Sequence, residues 1–172
     1  YKRQICNLLT ECFHRIGKAW ESSALTVYQE HIASQIGHQL LLDLRTRMLM
    51  PADDAPTAIG CAPEQDPYML PTLMVELVLC DLGWQAQSLG TNLPLEMLEP
   101  AVEKIKPQLC WVSVSHLESA SRLDTQLSYL DALGRAQGVE IICGGRAVPG
   151  DAKERYRDTR FMNNLCDLRS PN

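Results

Sequence analysis

Residues 109–116 read Leu109-Cys110-Trp111-Val112-Ser113-Val114-Ser115-His116. The run Leu109–Val114 is strongly apolar and too short for a helix, so it predicts a buried strand that ends in small hydroxyl side chains. The same reading extends outward. Val139–Cys143 is a second strand, ended by Gly144-Gly145, and 117–136 between them is helical. Upstream, Trp84–Leu89 is a strand closed by Gly90, and residues 70–82 form a helix that Gly83 ends. Leu95–Lys106 is helical although Pro100 sits awkwardly inside it. Thr57–Cys61 is a short apolar run ending near Pro63. The polar stretch 150–172 predicts short helices with frayed ends. Strands thus alternate with helices of about twelve residues, which predicts an α/β domain: a parallel, doubly wound sheet of four to five strands with helices on both faces.

The chain before residue 50 is different. Residues 3 to about 50 contain few glycines (Gly17 and Gly37), no Pro, and apolar residues at helical spacing, from Ile5, Leu8, Leu9, Cys12, Phe13 and Ile16 to Leu40, Leu41 and Leu44. They predict a small helical bundle over 1–50, its second helix capped by Ser22 or Ser23. Residues 51–56 form a polar, proline-punctuated linker, and the sheet domain occupies 57–172.

Composition narrows the function. The 172 residues carry 16 Lys+Arg against 21 Asp+Glu, a net charge of −5, so nucleic acid binding by this chain alone is disfavoured. No apolar run approaches the ~18 residues of a membrane span, and no signal-peptide pattern opens the chain, which predicts a cytoplasmic protein with no membrane contact. The chain starts at Tyr1 without Met and reads as a piece of a longer one. Seven cysteines at wide spacing with no C-x-x-C pair predict free thiols and no metal site.

In such sheets ligands bind beyond the carboxyl ends of the strands. Four loops lie there: Cys61–Tyr68, Gly90–Pro94, Ser113–His116 and Gly144–Val148. Asp66 either meets a ligand or caps the helix that follows, with Pro67 in its first turn. Ser113 and Ser115 leave room for a planar group, and Gly144-Gly145 either admits a ligand to the backbone or makes a plain turn. No G-x-G-x-x-G or G-x-x-x-x-G-K-[ST] appears, which removes the main support for dinucleotide and nucleoside triphosphate binding. No Ser/His/Asp or Cys/His arrangement offers a nucleophile, so a binding module rather than an enzyme is expected. In the helical half, Trp20 is followed ten residues on by Glu30-His31.

Together these pieces resemble the helical-bundle-plus-Rossmann-like cobalamin-binding domain of light-sensing, MerR-type transcription regulators, from about residue 10 to 165. Trp20-x9-Glu30-His31 is similar to the W-x9-E-H signature that covers the upper corrin face in that family. Leu89-Gly-Thr-Asn-Leu-Pro94 resembles the loop after the second strand. Ser113-Val-Ser115 and Gly144-Gly145 resemble the segments lining the tunnel for the dimethylbenzimidazole tail. The family's E/D-x-H-x-x-G motif, whose His ligates cobalt from below, falls on Asp66-Pro67-Tyr68-Met69-Leu70-Pro71. The acid is kept as Asp66, Tyr68 replaces the His and Pro71 replaces the Gly. A phenol of pKa ~10 is a poor neutral donor to cobalt. Glu21 stands where light-sensing members can carry a second His ligand.

The resemblance implies a sensory effector domain that reaches DNA only through a domain outside this chain, and a homo-oligomer. It implies Trp20 as a lid, Glu30 and His31 beside it, Asp66 and Tyr68 below, and Gly90, Ser113, Ser115, Gly144 and Gly145 along the tail groove. The ligand is cobalamin held without a lower protein ligand, or another tetrapyrrole such as haem, or none. A corrinoid carrier of a methyltransferase system and a ligand-free oligomerisation module are the alternatives.

Overall fold

The computed structural model describes residue 2, residues 4–116 and residues 119–171. A π-helical turn, Gln4–Leu9, runs into α1 (Thr10–Glu21), and a tight turn leads to α2 (Val27–Arg47). The cap of α2 is Thr26, not Ser22 or Ser23: Gln29 Oε1 accepts from the Thr26 backbone N–H at 2.9 Å and from its hydroxyl at 2.8 Å. The serines are consumed by the turn itself, where Ser23 takes a positive φ of 59°. Gly37 lets the two helices close up, because a Cβ there would collide with the Phe13 ring. One face of α2 packs inward through Gly37 and Leu41, while Tyr28, Ile32, Ile36 and Leu40, spaced four apart, remain exposed on another.

The rest of the chain is β1 (Thr57–Cys61), α3 (Met69–Asp81), β2 (Gln85–Ser88), α4 (Leu98–Ile105), β3 (Leu109–Ser113), α5 (Ala120–Gln137), β4 (Glu140–Gly144), α6 (Ala152–Arg155) and β5 (Thr159–Met162). The expected start of the 117–136 helix at Leu117 and Glu118 lies outside the described residues. All pairings are parallel and the order is β2-β1-β3-β4-β5. Pro100 disturbs nothing, because it is the third residue of α4, where the backbone N–H has no helical partner to lose. Pro71 sits at the same position in α3.

The strands alternate strictly between two cores, as a sheet covered on both faces must. Ala58, Leu109, Trp111 and Ile142 face α3, whereas Ile59, Cys61, Cys110, Val112, Ile141 and Cys143 face α4 and α5. A single crossover helix, α3, covers the first face. The bundle residues Ile5, Leu41 and Met48 and the tail residue Leu168 complete it. The bundle is therefore part of the sheet's core.

The segment expected to be only frayed helix contains β5. That strand is four residues long, lies at the sheet edge and carries Arg160, which pairs with Glu140 of β4 at 3.0 Å. Its pairing is written across the sheet rather than in an apolar run. Among the described residues, no helix is long and apolar enough to cross a membrane.

Candidate functional site at the carboxyl edge of the sheet

β1 has β2 on one side and β3 on the other, so the chain reverses direction across the sheet between β1 and β3. In open parallel sheets the gap between the loops leaving such a pair of strands is where ligands bind. Asp66, from the loop after β1, spans it. Its side chain is fully buried, and it accepts three backbone N–H groups: Tyr68 at 3.1 Å on Oδ1, and Ser115 at 2.5 Å and His116 at 3.1 Å on Oδ2. The capping alternative for Asp66 is thereby replaced: α3 begins at Met69 after Tyr68 and has no side-chain cap, and the Asp66 carboxylate serves the end of β3 instead. The loop after β2 is tied in as well. Asn92 Oδ1 accepts from the Gln65 N–H at 2.7 Å, the Asn92 N–H donates to the Asp66 carbonyl at 3.2 Å, and the Ala62 N–H donates to the Gly90 carbonyl at 2.9 Å.

Tyr68 stands at the start of α3 with 38% of its surface exposed. The His116 ring lies 6.4 Å away, centroid to centroid, at an interplanar angle of 56°. Over the phenol ring, 5.8 Å from its centroid, lies the guanidinium of Arg146. Arg146 follows Gly144-Gly145, and its Nε donates to the Ser115 carbonyl at 3.0 Å. Its Nη1 donates to Glu21 Oε1, also at 3.0 Å. Glu21 is the last residue of α1 and the neighbour of Trp20. One side chain thus ties the end of α1 to the sheet edge; Trp20, the residue before Glu21, is 41% exposed.

The other candidates fall as follows. Ser113 is buried as the last residue of β3, in register with Gly144. Gly144 accepts the Val114 N–H at 2.7 Å. Gly145, at φ 127°, lies so close to the Val114 backbone that a Cβ would clash with it. Gly90, at φ 92°, has open space where a Cβ would stand. Asp66, Tyr68, Gly90, Ser113, Ser115, Gly144 and Gly145 are therefore gathered on one edge. Glu30 lies in the first turn of α2 and His31 follows it. Glu30 accepts the Ser34 hydroxyl at 2.7 Å, His31 is exposed, and neither makes a hydrogen bond or ion pair to the sheet among the described residues.

Three features escaped the sequence reading. Arg146 adjoins the Gly144-Gly145 motif, and that adjacency was the available signal; Glu21 was singled out in place of a second His ligand but not as the partner of Arg146. His116 was quoted only as the end of the third strand's loop. Beneath the edge, Trp111 fills the space left by Gly60 and its Nε1 donates to Thr72 Oγ1 at 3.0 Å, with Ser88 Oγ 3.1 Å further on. Nothing local announces that network.

Burial pushes the thiols of Cys61, Cys110 and Cys143 up to about 12, which leaves them protonated at neutral pH and inert as nucleophiles. Two cavities of about 180 and 380 Å³ lie at the opposite, amino end of the strands, lined around Trp84 and Arg160 and around Tyr156 and Thr159 respectively.

No family model matches the chain. Over 139 residues it is 32% identical to the HTH-type transcriptional repressor CarH of Myxococcus xanthus, an alignment covering 77% of this chain and 43% of the repressor. The chain therefore spans less than half the length of that relative. Among solved structures it is similar to the monomethylamine corrinoid protein of Methanosarcina barkeri, with a TM-score of 0.66 and 17% identity over 90% of this chain and 74% of that one. It is also similar to a cobalamin-binding protein of Desulfitobacterium hafniense, with a TM-score of 0.55 and 15% identity over 90% and 73%. The helices followed by an all-parallel five-stranded sheet thus have the fold of the cobalamin-binding domain, and over most of its length the chain is a homologue of the repressor CarH.

Proposed function

We propose that this chain is the ligand-sensing part of a transcription regulator, taking a flat tetrapyrrole-type macrocycle between the Trp20 end of the bundle and the carboxyl edge of the sheet. The observation that carries the reading is the junction at Arg146. It brings α1, Tyr68 and the end of β3 together at the crevice where this class of sheet binds ligands. A half-exposed indole beside that crevice is suited to cover a planar ring. The relationship to a repressor favours regulation over methyl carriage, and DNA contact then falls to a region outside these residues.

The residues present do not fit the mode in which a histidine after β1 ligates cobalt. Tyr68 stands at that position, and the carboxylate that would orient an imidazole is already engaged by three backbone N–H groups. Cobalamin without that ligand, or a related macrocycle such as haem, is what the site suits. The exposed stripe Tyr28, Ile32, Ile36 and Leu40 on α2 supports self-association of the regulator with a second copy.

Mixing the purified chain with aquocobalamin and with haemin, then removing free chromophore by gel filtration, tests the reading. A retained and shifted spectrum that Trp20→Ala weakens is expected. Colourless protein after both mixtures overturns the sensor reading. Methyl transfer from a bound methylcorrinoid to a thiol would instead favour the carrier.

A further inference from the structure

We propose that Cys166 and Cys6 are a thiol pair for reversible oxidation: a peroxide oxidises the half-exposed Cys166, and Cys6 then closes a disulfide that fastens the tail of the chain to its first helical turn.

The fold brings the pair together. Cys6 lies in the turn Gln4–Leu9, and Cys166 in a 3-10 turn, Leu165–Asp167, that follows β5. Both belong to the core on the α3 side of the sheet. Cys6 is buried there beside Ile5, and Cys166 packs at its margin with Met162 and Leu165. The Cys166 thiol donates to Asn7 Oδ1 at 3.4 Å across 159 residues of chain, so its sulfur stands against the residue that follows Cys6. The Cys6 and Cys166 thiols are themselves hydrogen-bonding neighbours. The two segments are also pinned to each other and to α3: Lys2 Nζ donates to the Leu168 carbonyl at 2.6 Å, and the Lys2 backbone N–H donates to Asp81 Oδ2 at 2.7 Å. A disulfide needs its two Cα atoms within about 7 Å and its sulfurs in contact. Pinned turns whose thiols share a hydrogen bond need little movement to supply both. The remaining thiols are placed differently: Cys61, Cys80, Cys110 and Cys143 are buried away from an oxidant, and Cys12 is exposed on α1.

Access sets the order of events. The Cys166 thiolate attacks the peroxide. The O–O bond breaks, an S–O bond forms, the sulfur is oxidised to a sulfenic acid, and the peroxide is reduced to water or an alcohol. The Cys6 thiolate then attacks that sulfur. An S–S bond forms, the S–O bond breaks, and the departing hydroxide takes up the proton that Cys6 released and leaves as water. A dithiol reductant reverses the tie. Burial first, and then the hydrogen bond and charge of Cys166, push the Cys6 thiol up to about 12, with Lys2 acting against them and Asp167 with them. The second step is therefore the slow one, and it quickens as pH rises.

The test uses the full chain carrying Cys12→Ser, because Cys12 shares the tryptic peptide 4–15 with Cys6. Reduced protein is exposed to hydrogen peroxide at mildly alkaline pH, the remaining thiols are alkylated in denaturant, and the peptides are identified by mass spectrometry. The expected product is peptide 4–15 joined to peptide 161–169 through Cys6 and Cys166, two hydrogens lighter than the separate pair, with no dimer on a non-reducing gel. Dithiothreitol separates the two. Cys166→Ser abolishes the link, and in Cys6→Ala the oxidation of Cys166 halts at a sulfenic acid that dimedone traps. Closing a loop of nearly the whole chain should raise the thermal midpoint of the oxidised protein by on the order of 10 °C over the reduced one. Cys166 driven to sulfinic or sulfonic acid while Cys6 is still alkylated overturns the proposal. So does a link formed only between two chains, or a Cys166 that stays reduced where Cys12 of the unsubstituted chain oxidises. The peptide map of C12S decides the matter without any change in the core, whether or not Cys6→Ala folds.

Discussion

The Asp66 carboxylate reaches across the crevice and holds Ser115 of the next loop by a 2.5 Å hydrogen bond from its backbone N–H. It accepts two further N–H groups and is completely buried. Charge-assisted bonds of this kind are about twice as strong as neutral ones, and a buried donor left without an acceptor costs about 1–3 kcal/mol. Asp66→Asn keeps the shape but turns an NH2 group toward backbone donors. It should lose about 2–4 kcal/mol in urea unfolding. A loss under about 0.5 kcal/mol would mean that the two loops are held by something else.

Gly60 and Trp111 are register partners on β1 and β3, and the indole fills the place of the absent side chain. Gly60→Ala drives a methyl into a fully buried ring, and overpacking of this sort costs about 1–3 kcal/mol. The same substitution in a Trp111→Leu background should cost clearly less, since the obstructing ring is gone. Equal costs in the two backgrounds, measured by denaturant midpoints, would refute the pairing.

These two contacts show where sequence alone was informative. The helical half and the strands β1, β3 and β4 were legible because their apolar spacing is local: Leu109–Val114 and Val139–Cys143 carry their burial in consecutive residues, whereas β2, Gln85–Ser88, was marked by its flanks Trp84, Leu89 and Gly90. β5 was not, because Thr159-Arg160-Phe161-Met162 is defined by its partner, through Arg160 and Glu140. The candidate site was half legible. Asp66, Ser115 and Gly144 sit at strand ends that the topology must bring together. Asp66's choice of the Ser115 and His116 N–H groups over the end of α3 depends on a tertiary path that no spacing encodes. Arg146 was missed for the same reason: an arginine after two glycines reads as a solvated turn residue until α1 is placed beside it.

The Arg146–Glu21 pair is a weak fastening. Both side chains are about half exposed, and pairs of that kind contribute about 0.2–1 kcal/mol. Arg146→Gln and Glu21→Gln should each lower the thermal midpoint by no more than about 2 °C, and their coupling in a double-mutant cycle should fade in 1 M salt, where the Debye length is ~3 Å. Hydrogen exchange at the end of α1 should rise in either variant while that of β3 stays fixed. Unchanged exchange at α1 would show that the bundle end is held by packing alone.

Tyr156 and Asp124 give the protein two pH limits. The Tyr156 hydroxyl donates to Asp124 Oδ1 at 2.5 Å, and Arg155 pairs with the same oxygen. Burial first, and then the bond to Asp124, push the phenol up to about 12, while that hydrogen bond and the one from Arg155 hold the Asp124 carboxyl below its ordinary 3.8. A raised phenol pKa stabilises the fold fully below the unfolded value of 10, and that contribution is lost as pH rises from 10 through 12. A depressed carboxyl pKa stabilises it above 3.8, and that contribution is lost as pH falls through the lowered value. Tyr156→Phe should therefore cost about 1 kcal/mol at pH 7, the usual yield of one hydrogen bond. The gap between wild type and Y156F should narrow in urea titrations below pH 4 and above pH 10. A gap that is constant from pH 3 to pH 11 would show that Tyr156 contributes through its ring alone.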